Sequence, residues 1–292
     1  AGRVGWMSNP ASPFAAVREI TEAPNVRDRA IGTYVMNRSY WESRAFDERY
    51  WIRYFDLLAT NRFNRFHIVF GYENGGFLAP AYPYFFDTPG YPGVHMVGVT
   101  PDQQKKNLTA LNRIIELGHD RGIAVSLGIW DHIYRGGVQS GKADWLEEYK
   151  DKPIPASVEG VKAENLSAYT LASLKELLVK VPAIDGLQFR VHEESGLKKE
   201  EIVDFWRQVF RHMMKHKPGM LLELRGKGTP DSVIAAACDL GVNLRMETKY
   251  WMEQMGLPYH PTHINLKDQK NRRHGYADFL RYPQRYQMLW RL

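Results

Sequence analysis

The stretch Leu187-Gln188-Phe189-Arg190-Val191-His192-Glu193-Glu194-Ser195-Gly196 begins as an apolar β-strand and fills with ionisable side chains as it ends. Residues two apart on a strand share a face, so Arg190, His192 and Glu194 line one side together. A guanidinium, an imidazole and a carboxylate cost too much to desolvate as a group without partners. That separates this strand end from ordinary core. In a parallel α/β barrel, active sites are built at the C-terminal strand ends. The competing reading is a solvated strand end with a surface ion pair.

Outward from this stretch the same pattern repeats. From residue 29 onward, strands are expected at 30–37, 66–72, 123–130, 187–192, 220–225 and 242–246. Helices are expected between them at 47–60, 100–120, 171–181, 198–217 and 230–240, with a last one at 276–292. Amphipathic spacing supports the helices. Tyr50, Tyr54, Leu57 and Leu58 fall on one face of the first, and Leu108, Leu111, Ile114, Ile115 and Leu117 on one face of the second. Thr100-Pro101-Asp102 is a helix start, an N-cap with proline at N1, and Thr229 offers a cap further on.

Short turns between alternating strands and helices imply parallel strands joined by helical crossovers. Polar residues gather at the strand ends: Asn37, Glu73, Asp131, Glu194, Arg225 and Glu247. Their recurrence favours an α/β fold of the (β/α)8 TIM-barrel type over an open doubly wound sheet. No Gly-x-Gly-x-x-Gly follows a strand, as a dinucleotide fold would require. Six strands are clear and little chain remains after the sixth, so the barrel is expected to be incomplete or irregular at its C-terminal end. The expected organisation is an N-terminal linker or extension at 1–28 and a catalytic barrel at 29–292.

A chain of 292 residues can bury one large core. Its 25% charged and 44% hydrophobic residues are ordinary for a folded soluble protein. The net charge of +6 is mild, and no run of like charges resembles a nucleic-acid arm. Neither a nucleic-acid partner nor a membrane span is expected, since no apolar run approaches the length of about 18 residues that a span takes. The single cysteine, Cys238, lies in the apolar run 233–240 and reads as a buried thiol with no intrachain disulfide. The chain begins Ala1-Gly2-Arg3 without methionine or an apolar leader. A signal peptide or preceding domain is therefore expected to have been removed, with a periplasmic or secreted location.

The candidate chemistry follows from the residue types. Cleaving a glycosidic bond takes two carboxyl groups, one protonated and one ionised. Glu194 is the first choice for the acid, and Glu247 or Glu253 for its partner. Glu223 lies inside the fifth strand and reads equally as an inward salt-bridge partner. Arg190, Arg225, Arg245 and Lys249 sit near strand ends, and a ring of cations in a pocket suits an anionic group on the ligand. Each alone reads equally as an internal Arg–Glu tie. His192, Glu193, Glu73 and the pair Asp131-His132 complete the polar strand ends. Aromatics are 13% of the chain and cluster in loops, among them Tyr82, Tyr84, Phe85, Phe86, Trp130 and Tyr250. Such rings suit the C–H faces of sugars, with Trp130 and Tyr250 nearest the strand ends; they also suit small cores beneath long loops. The histidines His192, His260 and His263, with Asp131-His132, leave a metal-dependent sugar isomerase or hydrolase as an alternative. A barrel that binds sugars without hydrolysing them is the other.

Three segments resemble family-20 hexosaminidases and their relatives over residues 24–130. They are Pro24-Asn25-Val26-Arg27-Asp28-Arg29, Asn61-Arg62-Phe63-Asn64-Arg65-Phe66-His67 and Asp120-Arg121-Gly122-Ile123-Ala124-Val125. The resemblance departs at the acid motif His-x-Gly-Gly-Asp-Glu, where this chain has Phe189-Arg190-Val191-His192-Glu193-Glu194. There, Arg190, Glu194 and Gly196 are similar to the family-67 α-glucuronidases, with Arg in place of that family's Lys. Glu247-Thr248-Lys249, followed by Glu253 and then Pro258, Tyr259 and His260, is similar to the same family's segment with a substrate-binding lysine and a catalytic carboxylate. The resemblance implies a cofactor-free glycoside hydrolase acting on a uronic-acid or sulfated poly- or oligosaccharide. It implies Glu194 as acid, Arg190 holding the substrate carboxylate, and Lys249 and Glu253 in the carried-over roles.

Overall fold

The computed structural model describes residues 11–12, 15, 18–19, 23–35, 38–70, 81–129, 158–191, 197, 199–226, 229–249 and 287–291. Seven strands form one sheet: β1 (Ala30–Tyr34), β2 (Arg65–Phe70), β3 (Ala124–Ile129), β4 (Gly186–Phe189), β5 (Leu221–Arg225), β6 (Asn243–Lys249) and β7 (Gln287–Arg291). Every neighbouring pair is parallel, and the strands lie side by side in chain order. A doubly wound sheet reverses its order at a switch point; this sheet does not. Among the described residues it is open, with β1 and β7 at its edges.

Helices supply the crossovers: α1 (Arg38–Ala45), α2 (Glu48–Thr60), α3 (Pro101–His119), α4 (Leu166–Lys180), α5 (Ile202–His216) and α6 (Asp231–Asp239). The helix signals in the sequence act as physics requires. Asp47 caps α2 by accepting from Tyr50 N (3.1 Å), and Thr100 Oγ1 caps α3 by accepting from Gln103 N (3.2 Å). The buried face of α2 is Trp51, Phe55 and Leu58, shifted from the expected one, and Leu57 is exposed. Trp51, Tyr54 and Phe55 all pack on Phe66 of β2, with centroids 5.8, 5.6 and 5.5 Å away.

Three further expectations are corrected. Thr229 does not cap α6; its Oγ1 donates to the carbonyl of Arg225 at 2.6 Å, tying the helix approach to the end of β5. Cys238 is half-buried and packs at the margin of the core. The segment expected as a helix at 276–292 carries β7 instead, paired with β6 from Arg245↔Gln287 to Lys249↔Arg291. A short apolar run reads as helix or strand with equal ease. The open edge of β6 supplies the ladder partner that settles it.

The two faces of the sheet differ sharply. One presents Phe66, Ile68, Phe70, Val125, Leu127, Ile129, Leu187, Phe189, Leu222, Leu224, Leu244 and Met246 to the helices, all within one apolar cluster. By the register, the other presents Arg65, His67, Ser126, Gln188, Glu223, Arg225, Arg245 and Glu247. These polar residues are buried, apart from the half-buried Arg65. The sheet curls to bury them. His67 of β2 and Glu223 of β5 would stand about 16 Å apart in a flat sheet, three spacings of about 4.8 Å across and two residues along. Their side chains meet at 3.2 Å. Small residues of β3 and β4 line the concave side between them: an added Cβ on Gly128 would lie 2.9 Å from Val69 Cγ2, and one on Gly186 2.8 Å from Ser126 Oγ.

Candidate active site

The concave face is organised in rows by the parallel register. One row runs Gln188, Glu223, Arg245 across β4, β5 and β6. The next, nearer the C-terminal strand ends, runs Arg190, Arg225, Glu247. Arg225 and Glu247 are register partners, and Arg190 follows the Phe189↔Leu224 pair by one position. All six side chains are buried. Two guanidinium groups and one carboxylate thus share the upper row.

Below it lies a connected ion network. Glu223, fully shielded from solvent, faces His67 Nδ1 at 3.2 Å and accepts from Arg245 Nη1 at 3.3 Å. Arg245 Nη2 donates to Asp28 Oδ2 at 2.7 Å, and Asp28 Oδ1 accepts from Arg65 Nε at 3.3 Å. Arg65 Nη1 also donates to Ser126 Oγ at 3.2 Å. Burial pushes the His67 imidazole below its ordinary range. The Glu223 carboxylate works against this, Arg65 and Arg245 reinforce it, and Asp28 opposes it. With His67 neutral, two arginines and two carboxylates balance, the condition under which buried charge is tolerated. Glu223 and Arg245 therefore take the internal-tie reading.

The upper row is held differently. Gln188 Nε2 donates to Glu247 Oε2 at 2.9 Å, reaching over β5 from the fourth strand to the sixth. The backbone of Glu247 is fixed by the β5–β6 ladder and by Gly226 N, which donates to the Glu247 carbonyl at 2.7 Å. Of the sequence-derived candidates, the structure brings Arg190, Arg225 and Glu247 together at one end of the concave face. Lys249 closes β6 at the same end. Glu194, His192, Glu193, Glu253, Trp130, Asp131, His132, Tyr250 and Glu73 lie outside the described residues.

The aromatic loop expectation resolves in part toward packing. Tyr82, Tyr84, Phe85 and Phe86 are buried in the core, so these rings are unavailable to a sugar. Burial holds the Tyr82 and Tyr84 hydroxyls protonated far above their ordinary range. Gln188, His67, Asp28 and Arg65 were not among the candidates. The signal for Gln188 was present: it stands two residues before Arg190 and so shares its face, a polar side chain between Leu187 and Phe189. Asp28 carries no such signal, since nothing local shows that it turns into the sheet. A separate cleft of about 460 Å³ between α1, α2 and α3, lined by Phe46, Trp51, Lys106 and Ile114, lies on the helical side. It is remote from these charges. Among the described residues no group of three or more His, Cys, Asp or Glu side chains could hold a metal ion, and no helix is long and apolar enough to cross a membrane.

No family model and no curated protein matches this chain. Solved structures do. The chain is similar to a GH138 enzyme targeting pectin rhamnogalacturonan II, with a TM-score of 0.59 and 18% identity over 84% of this chain and 29% of that one. It is also similar to a glycoside hydrolase family 20 β-N-acetylglucosaminidase, with a TM-score of 0.50 and 13% identity over 82% of this chain and 57% of that one. At these identities the likeness speaks to the fold. The neighbours are glycoside hydrolases, and the chain spans less than two thirds of either.

Proposed function

We propose that this chain is the (β/α)8-type catalytic barrel, or the greater part of one, of an α-glucuronidase-like glycoside hydrolase. It cleaves a glycosidic bond in a uronic-acid or sulfated poly- or oligosaccharide. The observation that carries the reading is the buried Glu247 beside Arg225 and Arg190 at the C-terminal end of a concave parallel sheet. In this mechanism Glu194 gives its proton to the leaving oxygen. Glu247 acts as base on water or as nucleophile, with Glu253 as the alternative in that role. Arg190 and Lys249 hold the anionic group, with Arg225 beside them. The separation of the two carboxyl groups selects the outcome, about 5 Å for retention and more than about 6.5 Å for inversion.

The fold likeness to a GH138 enzyme targeting pectin rhamnogalacturonan II and to a family-20 enzyme supports the glycosidase class. Arginines at the strand ends suit an anionic group on the substrate, because guanidinium binds carboxylate and sulfate bidentately. A periplasmic or secreted location belongs to the same reading, since a polysaccharide is met outside the cytoplasm. The test is hydrolysis of a panel of 4-nitrophenyl α- and β-glycosides of neutral sugars and uronic acids. The uronides should be preferred. Glu194→Gln should abolish turnover while leaving binding largely intact, and Glu247→Gln should lower kcat by about a hundredfold or more. Wild-type rates in Glu194→Gln would overturn its assignment as the acid.

A further inference from the structure

Gln188 is almost fully buried, at 3% exposure, in the middle of β4. Its neighbours Leu187 and Phe189 serve the apolar face, so the strand has no packing need for a carboxamide there. A buried amide costs free energy unless it is hydrogen-bonded, and this one reaches past the adjacent strand to the Glu247 carboxylate. An ionised carboxylate only accepts, so the nitrogen end of the amide faces it. The ladder and Gly226 already fix the Glu247 main chain. The Gln188 bond acts on the carboxylate itself.

We propose that Gln188 is a positioning residue for the Glu247 carboxylate, holding Oε2 and so helping to set the direction in which the group meets substrate. This inference rests on the reading of Glu247 as a reacting carboxylate. The chemistry explains why the holder is neutral. Arg190, one residue past β4, and Arg225 on β5 share the row of Glu247, with Arg245 and Glu223 one row below and the neutral His67 two rows below. A further cation would hold the carboxylate ionised but would weaken it as a base. An amide N–H orients it at less expense of basicity.

The experiment compares Gln188→Leu, Gln188→Glu and Glu247→Gln with the wild type on whichever 4-nitrophenyl glycoside the wild type hydrolyses. Both kcat and KM are read, together with the acidic limb of kcat/KM. Gln188→Leu should lower kcat about tenfold to a hundredfold with KM little changed. Gln188→Glu, close in shape and the fallback if the leucine variant fails to fold, places a second carboxyl against Glu247. The pair then shares a proton, so the acidic limb should move to higher pH. Loss of a merely structural bond would lower the melting temperature without moving that limb. Wild-type kcat and an unmoved limb in both Gln188 variants, with Glu247→Gln inactive, would overturn the positioning role alone. Full activity in Glu247→Gln, or no hydrolysis of any glycoside by the wild type, would overturn the underlying reading as well.

Discussion

His67 shows how much one side chain depends on its surroundings. Its imidazole is buried between Glu223, Arg65 and Arg245, and burial keeps it neutral. In the unfolded chain it titrates near pH 6.5. Because the folded value lies lower, the unfolded state binds the extra proton between the two values. Stability contributed at this site is therefore intact above about pH 6.5 and falls as the pH drops below it. His67→Gln should flatten that part of the curve of melting temperature against pH, measured between about pH 5 and 7. Gly128 offers a second test at this scale. Alanine there would press on Val69 from 2.9 Å, and overpacking of this kind costs about 1–3 kcal/mol, readable in urea denaturation. Single residues were legible where two-residue alternation revealed their face, as with Arg190. They were not legible where a partner comes from afar, as with His67 and Glu223, which are 156 positions apart in sequence but 3.2 Å apart in space.

Among the elements, α3 was readable almost to the residue. Thr100-Pro101-Asp102 opens it, and its apolar positions Leu111, Ile114, Ile115 and Leu117 are all buried. Its cap is a discrete contribution: Thr100→Ala should cost about 0.5–2 kcal/mol, seen as a lowered melting temperature with the fold unchanged by circular dichroism. The strands β1 to β6 were legible because their short apolar runs alternate with capped, amphipathic helices, which settles the reading of each run. The loop at 81–99 was less so. Its rings suited sugar binding and core packing equally. The choice fell to long-range partners: Gln104 Nε2 donates to the carbonyl of Pro83 at 3.0 Å, and Asn107 Nδ2 donates to that of Tyr84 at 2.8 Å. Those two bonds from α3 fold the loop down onto the core. The helix α1 was missed because its eight residues, Arg38–Ala45, bury only Trp41 and Ala45.

For the whole molecule, strand order was deducible from strict alternation, while curvature was not. Curvature depends on which concave residues meet across the sheet, and Asp28 is the clearest case. It lies before β1, at the last position assigned to the expected extension, yet joins Arg65 of β2 to Arg245 of β6. Asp28→Asn keeps the shape and removes the charge. It should cost about 1.5–3 kcal/mol, measured by urea denaturation, and the loss should be smaller in Asp28→Asn combined with Arg245→Met, where the pair is already broken.

The bond from Asp28 to Arg245 also has a place in time. It spans 217 positions of sequence, and contacts of such separation form late because a long loop must close first. A ribosome releases Asp28 and Arg65 well before Arg245 exists. In that interval the early strands can pair, but one side of the future cavity has not been synthesised. Glu247 leaves the ribosome two residues after Arg245 and pairs with Arg225 and Gln188, which are already waiting. A polypeptide halted before β6 would thus carry most of the framework and only one wall of the site.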